Sequence, residues 1–158
     1  MNKQFLKYEA NQHHLKLLCL GKWTLASVRQ IEKELETFKT ISDKANDGNG
    51  MIGLVGNLIF VNEFFAEMHG WTREDLIGNS ISALHTEDQM KDVGRLMKQL
   101  EESGSFSNEE VWHKRRNGTV FPSLMSGISV RDDAGRPLFL TATMIDITER
   151  KRLDERLR

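Results

Sequence analysis

The sequence predicts an α+β fold in which five strands surround a block of short helices, with further helices ahead of them. Three observations carry this expectation. Residues 106–147 hold three strand-like runs joined by the turns Arg116-Asn117-Gly118 and Asp132-Asp133-Ala134-Gly135, the pattern of an antiparallel meander. A glycine-punctuated hairpin precedes them at residues 48–61. Between the two, residues 62–104 give helix-start signals at short intervals.

At the amino terminus, Phe5, Leu6, Tyr8, Leu15, Leu17, Leu18 and Leu20 draw an amphipathic helix that ends near Gly21. A second helix begins after Thr24. Its apolar positions Val28, Ile31, Leu35 and Phe38, spaced three, four and three, form one stripe. That stripe either packs on its own domain or forms a seam with a copy of itself.

The hairpin is read as a strand from Met51 to Val55, a turn at Gly56-Asn57 and a strand to Val61. Its glycines lack a following Gly-Lys-Ser/Thr, so turns and tight packing explain them better than a phosphate loop. Asn62 caps a helix through Phe64, Phe65 and Met68. Thr72, with Asp75 three residues on, opens a short helical turn ending at Gly78. A longer helix runs from about Thr86 through Val93, Leu96, Met97 and Leu100 to Gly104. The strands Phe106–Arg115, Val120–Val130 and Leu138–Ile147 follow, with Pro137 at the start of the last, where a missing N–H is tolerable. From Thr148 a charged helix with Leu153 and Leu157 four apart leaves the domain as a connector.

Composition narrows the function. Twenty-two basic and 23 acidic side chains give a net charge of -1, no field to gather nucleic acid or anionic lipid. Cys19 is the only cysteine, which rules out an internal disulfide and multi-cysteine metal sites and suits a reducing, cytoplasmic setting. The longest nearly apolar stretch, Leu15 to Leu20, is too short to span a bilayer. Lys7, Glu9, Asn11 and Gln12 interrupt anything like a signal peptide. No Gly-x-Ser-x-Gly elbow or converging metal set marks an enzyme.

A run of motifs then points to a family. They are Ala45-Asn46-Asp47-Gly48, Ile59-Phe60-Val61-Asn62, Phe65 with Met68-His69-Gly70-Trp71, and Thr72-Arg73-Glu74-Asp75-Leu76-Ile77-Gly78. Leu84-His85, Glu87-Asp88 and Trp112-His113-Lys114-Arg115-Arg116-Asn117-Gly118 continue the series. Arg131-Asp132-Asp133-Ala134-Gly135-Arg136-Pro137 and Asp146-Ile147-Thr148-Glu149-Arg150-Lys151-Arg152 close it. In this order they resemble the PAS domain family of signalling proteins, over roughly Phe38 to Arg152.

The resemblance implies a five-stranded antiparallel sheet with helices on one face and a cavity between them. It divides the chain into a dimerisation segment (1–40), a sensor domain (41–148) and the start of a connector (149–158). The implied function is a homodimeric sensor module of a two-component histidine kinase, or of a protein with another output domain. It would respond to a small apolar ligand. The alternatives are a ligand-free interaction domain or a non-covalent flavin or haem sensor. The family leaves the cofactor unknown.

The residues test those subclasses. Where light-sensing flavin members resemble Gly-Arg-Asn-Cys, this chain has Gly78-Asn79-Ser80-Ile81, without a thiol. His113, Ser123 and Met144 stand where such members hold the flavin's polar edge. The haem-ligand position falls near Asp92, and His69 and His85 read as ordinary surface or loop histidines. His13 and His14, adjacent on a helix, face different ways. With His113 turned inward and Trp112 outward, alternation sends Val111, Ser123, Met125, Ala142 and Met144 into the cup. Met51, Phe65, Met68, Leu84, Leu96 and Met97 form the opposite wall; all of these equally suit a plain core. The outer sheet face would present Trp112, Leu124 and Ile128, which the helix of Val28, Ile31, Leu35 and Phe38 would cover, from the same chain or its twin. Lys114, Arg115 and Arg116 are placed in solvent at the turn.

Overall fold

A computed structural model describes residues 24–158. The expected helix from Phe5 to Leu20, Cys19, and His13 and His14 lie outside these residues. The chain divides into two compact units, Met1–Lys44 and Ala45–Arg158.

Within the first unit, helix α1 spans Leu25–Lys44. It starts where the sequence places it, with the Thr24 hydroxyl accepting from the Ser27 amide at 3.2 Å. Ile31, Leu35, Phe38 and Ile41 are all exposed and repeat at helical spacing, so the expected stripe is real and runs one turn further.

The second unit is built on strands β1 (Gly48–Ile52), β2 (Leu58–Val61), β3 (Ser105–Lys114), β4 (Val120–Arg131) and β5 (Pro137–Asp146). They form one antiparallel sheet in the order β2-β1-β5-β4-β3. The meander of the last three strands appears as expected. The first hairpin is shifted: β1 begins three residues before Met51 and ends at Ile52, while Leu54 and Val55 sit exposed in the turn. Gly48 and Gly50 belong to the strand because helix packing comes close there. A Cβ on Gly48 would stand 2.9 Å from Met144 Cγ and 3.2 Å from the Phe65 ring.

The helices follow β2. Asn62 caps α2 (Glu63–His69), its Oδ1 accepting from the Phe65 amide at 2.9 Å. Its side chain also bonds Asn49 and Asp47 and so ties β1 to α2. Thr72 caps the single turn α3 (Arg73–Leu76). A 3₁₀ turn, Ile81–Leu84, leads to α4 (Gln89–Ser103). Here the capping box pairs Thr86 with Gln89, which bond each other's amides reciprocally. Val93, Leu96 and Leu100 form the buried stripe of α4. Helix α5 (Thr148–Arg156) closes the unit, with no buried residue.

The core lies between these helices and one side of the sheet. Phe65, Leu76, Leu84, Phe121 and Met144 pack one end; Leu96, Leu100, Phe106, Val111 and Leu140 pack the other.

Candidate functional site

Between the two packed ends lies a cavity of about 60 Å³. A cavity of about 150 Å³ lined by Leu, Ile and Phe is known to take benzene, so this one suits a guest of a few heavy atoms. Its walls come from every part of the cup: Phe65 of α2, Ile81, Leu84 and His85 of the 3₁₀ segment, and Val93, Leu96, Met97 and Leu100 of α4. The sheet contributes Gly50, Ile52, Phe106, Val111, His113, Met125, Leu140 and Ala142.

Three histidines are buried together at one end, His69, His85 and His113. His69 Nδ1 lies 2.8 Å from the Phe65 carbonyl, and its Nε2 lies 3.1 Å from His113 Nδ1. His113 Nε2 in turn lies 3.1 Å from Met125 Sδ. The His85 ring stands 4.5 Å from that of His113, and its Nδ1 lies 2.9 Å from the Ile81 carbonyl. Burial disfavours the charged form of each ring. It pushes His69 down to about 4, lowers His85 and holds His113 well below the usual range.

A second construction joins this end to α5. Arg115 stacks on the Phe121 ring at 3.9 Å and donates to the Met68 carbonyl. It also pairs with Asp146 at 2.8 Å. The other carboxylate oxygen of Asp146 accepts from the Thr148 amide at 2.8 Å, at the first turn of α5. Burial pushes Asp146 up, but the bonds from Thr148 and Arg115 outweigh it and hold the carboxyl below its ordinary value. Lys151 of α5 pairs with Glu110 and sits over the Trp112 ring on the outer face.

A family model described as PAS domain matches residues 48–149. The chain belongs to the PAS domain family. Its members are in general non-catalytic sensor domains acting in signal transduction. The PAS domain of a Colwellia psychrerythraea protein has a TM-score of 0.67 at 17% identity, covering 73% of this chain and 98% of that one. A PAS domain from a two-component sensor histidine kinase has a TM-score of 0.62 at 15% identity, covering 73% and 97%. Among curated proteins, the probable diguanylate cyclase DgcE of Escherichia coli (strain K12) is 27% identical over 142 residues. The match takes in 88% of this chain but only 13% of that relative's length.

Within this PAS domain, Phe65, Leu84, Leu96, Met97, Val111, His113, Met125 and Ala142 line the cavity. Met68, Ser123 and Met144 are buried but lie outside the lining; the Ser123 hydroxyl is spent on the Val111 carbonyl at 2.9 Å. Met51 does not belong to this wall. It pairs with Thr141 and Phe60, between Gly50 and Ile52, so strand alternation turns it to the other face.

His69 and His85 also need correction: both are buried, His69 in the last turn of α2 and His85 in the bend after the 3₁₀ turn. Each ring sits four residues after the backbone carbonyl that its Nδ1 meets, a bond within one helical turn that makes burial possible. Arg115 is likewise held against Phe121 and Asp146 rather than in solvent. Trp112 and Ile128 lie exposed on the outer face with Ile145, which the sequence reading left out; Leu124 is half-buried there.

For cofactors, Ile81 lines the cavity at the place of the flavin-reactive thiol and has none to offer. A cavity of this size would have to expand to admit an isoalloxazine or a porphyrin. Among the described residues, no group of three or more His, Cys, Asp or Glu side chains is arranged to hold a metal ion. Among them, no helix is long and apolar enough to cross a membrane.

Proposed function

We propose that the chain is the sensor and dimerisation module of a cytoplasmic signalling protein, in which a small, mostly apolar guest in the cavity biases the connector helix α5. Asp146 carries this reading. One carboxylate holds both the guanidinium packed against the cavity's histidine end and the amide that starts α5. A change in packing around Phe121 and His113 therefore has a short polar route to the connector. For signalling, a guest must favour one of two connector geometries; tight binding alone shifts nothing.

In this proposal residues 1–40 dimerise, 41–148 sense and 149–158 connect. The dimer seam uses Val28, Ile31, Leu35 and Phe38 of α1 together with Trp112, Leu124 and Ile128 of the sheet. Exposed apolar side chains on both surfaces support it. The output domain that follows the closing Asp146–Arg152 run is a histidine kinase in this reading, supported by the likeness to a PAS domain from a two-component sensor histidine kinase. A diguanylate cyclase is the second reading, favoured by the likeness to the probable diguanylate cyclase DgcE.

Replacing Val28 and Leu35 with Glu tests the seam. Light scattering should show the dimer reduced to a monomer with an unchanged far-UV spectrum. A dimer that survives both charges defeats this part of the proposal.

A further inference from the structure

The wall of the cavity exposes apolar surface only, because the polar groups built into it are turned elsewhere. On the sheet side, Gly50 pairs with Ala142 and Ile52 with Leu140. Strands β1 and β5 each have a neighbour on both edges, so their backbone groups are spent in the ladders. His113 Nδ1 meets His69, and its Nε2 lies against Met125 Sδ. His85 Nδ1 meets the Ile81 carbonyl, and its Nε2 is buried within the wall. Neither imidazole presents a nitrogen to the space it lines.

That arrangement decides what can occupy the cavity. Water needs several polar partners to remain in such a space and finds none on this wall. A hydroxyl, amine or carbonyl on a guest would leave its hydration behind with nothing to replace it, which lowers affinity. A hydrocarbon gives up no hydrogen bond on entry. It gains dispersion contacts with side chains that otherwise face a void. Met97 and Met125 line the same space with flexible, polarisable side chains that can close around it.

Taking the cavity as a ligand site, as above, we propose that its guest carries no hydrogen-bonding group at all and is a light hydrocarbon of about three or four heavy atoms. Alcohols, ketones, amines and carboxylates are excluded on the same ground: each brings a group that the wall leaves unpaired.

The probes are propane and ethanol, which differ only in a terminal methyl against a hydroxyl. Each is titrated into the whole chain labelled with ¹³C at the methionine ε-methyls, and those methyls are followed by NMR. Propane should bind saturably and move Met97 and Met125, while Met51, on the other face of the sheet, stays in place. Ethanol should bind at least about tenfold more weakly. Ethanol that moves Met97 and Met125 as tightly as propane does would overturn the wholly apolar guest and leave the ligand-site reading standing. Propane that moves other methyls but not these two, or no saturable binding of either compound, defeats both.

Discussion

The two faces of the sheet are made from the same strands and differ in almost everything else. On the inner face of β3, β4 and β5, Val111, His113, Phe121, Ala142 and Met144 are buried around or beside the cavity. One residue along each strand, Trp112, Ile128 and Ile145 remain 42%, 57% and 51% exposed. The inner face is sealed by its own helices. The outer face keeps apolar side chains exposed and, at Lys151, makes a contact with α5. A period of two thus places the cavity and the exposed apolar patch on opposite sides of a single layer.

The largest expected effect is an aromatic truncation on the inner face. Phe121→Ala should cost about 3–5 kcal/mol, because it empties a fully buried site and removes the surface under Arg115. Urea unfolding would measure it; a cost under 1 kcal/mol would show that the inner face is loosely packed.

Acid should act on the inner face next. A histidine whose folded pKa lies below its unfolded value leaves stability intact above about pH 6.5 and removes it as pH falls toward the folded value. For His69, lowered to about 4, this is about 3 kcal/mol by pH 4, at about 1.4 kcal/mol per unit. His85 and His113 are lowered too and add in the same direction. Unfolding midpoints at pH 7, 5.5 and 4 should fall steadily. A flat profile would contradict the buried neutral cluster.

A smaller contrast lies in neighbours on β4. A Cβ on Gly127 would stand 2.5 Å from the Phe106 ring, so Gly127→Ala should destabilise by about 1–3 kcal/mol. Ile128→Thr, one residue on and exposed, should change monomer stability by about 0.5 kcal/mol or less while weakening the proposed dimer. Thermal melts at low concentration and mass at high concentration separate the two effects.

Much of this layout was legible in the sequence, and the exceptions have physical causes. Turn chemistry at Asn117-Gly118 and Ala134-Gly135 marks the meander, and alternation from His113 gives the correct parity across three strands. Met51 failed because Gly48 and Gly50, which set the parity of β1, carry no hydrophobic signal. Their role is close approach to Phe65 and Met144. His69 and His85 failed because a histidine is read as polar unless its partner is known. The available clue was position: His69 follows Phe65 by four on an otherwise apolar helix face, and His85 follows Ile81 by four. Arg115 looked like a turn residue because its partners, Phe121 and Asp146, come from other strands.

The central claim is that the cavity wall and the connector move together through Arg115 and Asp146. Met125→Phe would fill part of the cavity with a side chain of similar character, beside His113. Amide hydrogen exchange at Ile147–Arg152 is the direct readout. The account predicts a several-fold change there, abolished when Arg115→Met is added. Unchanged exchange along the connector, in a variant that remains folded, would contradict it.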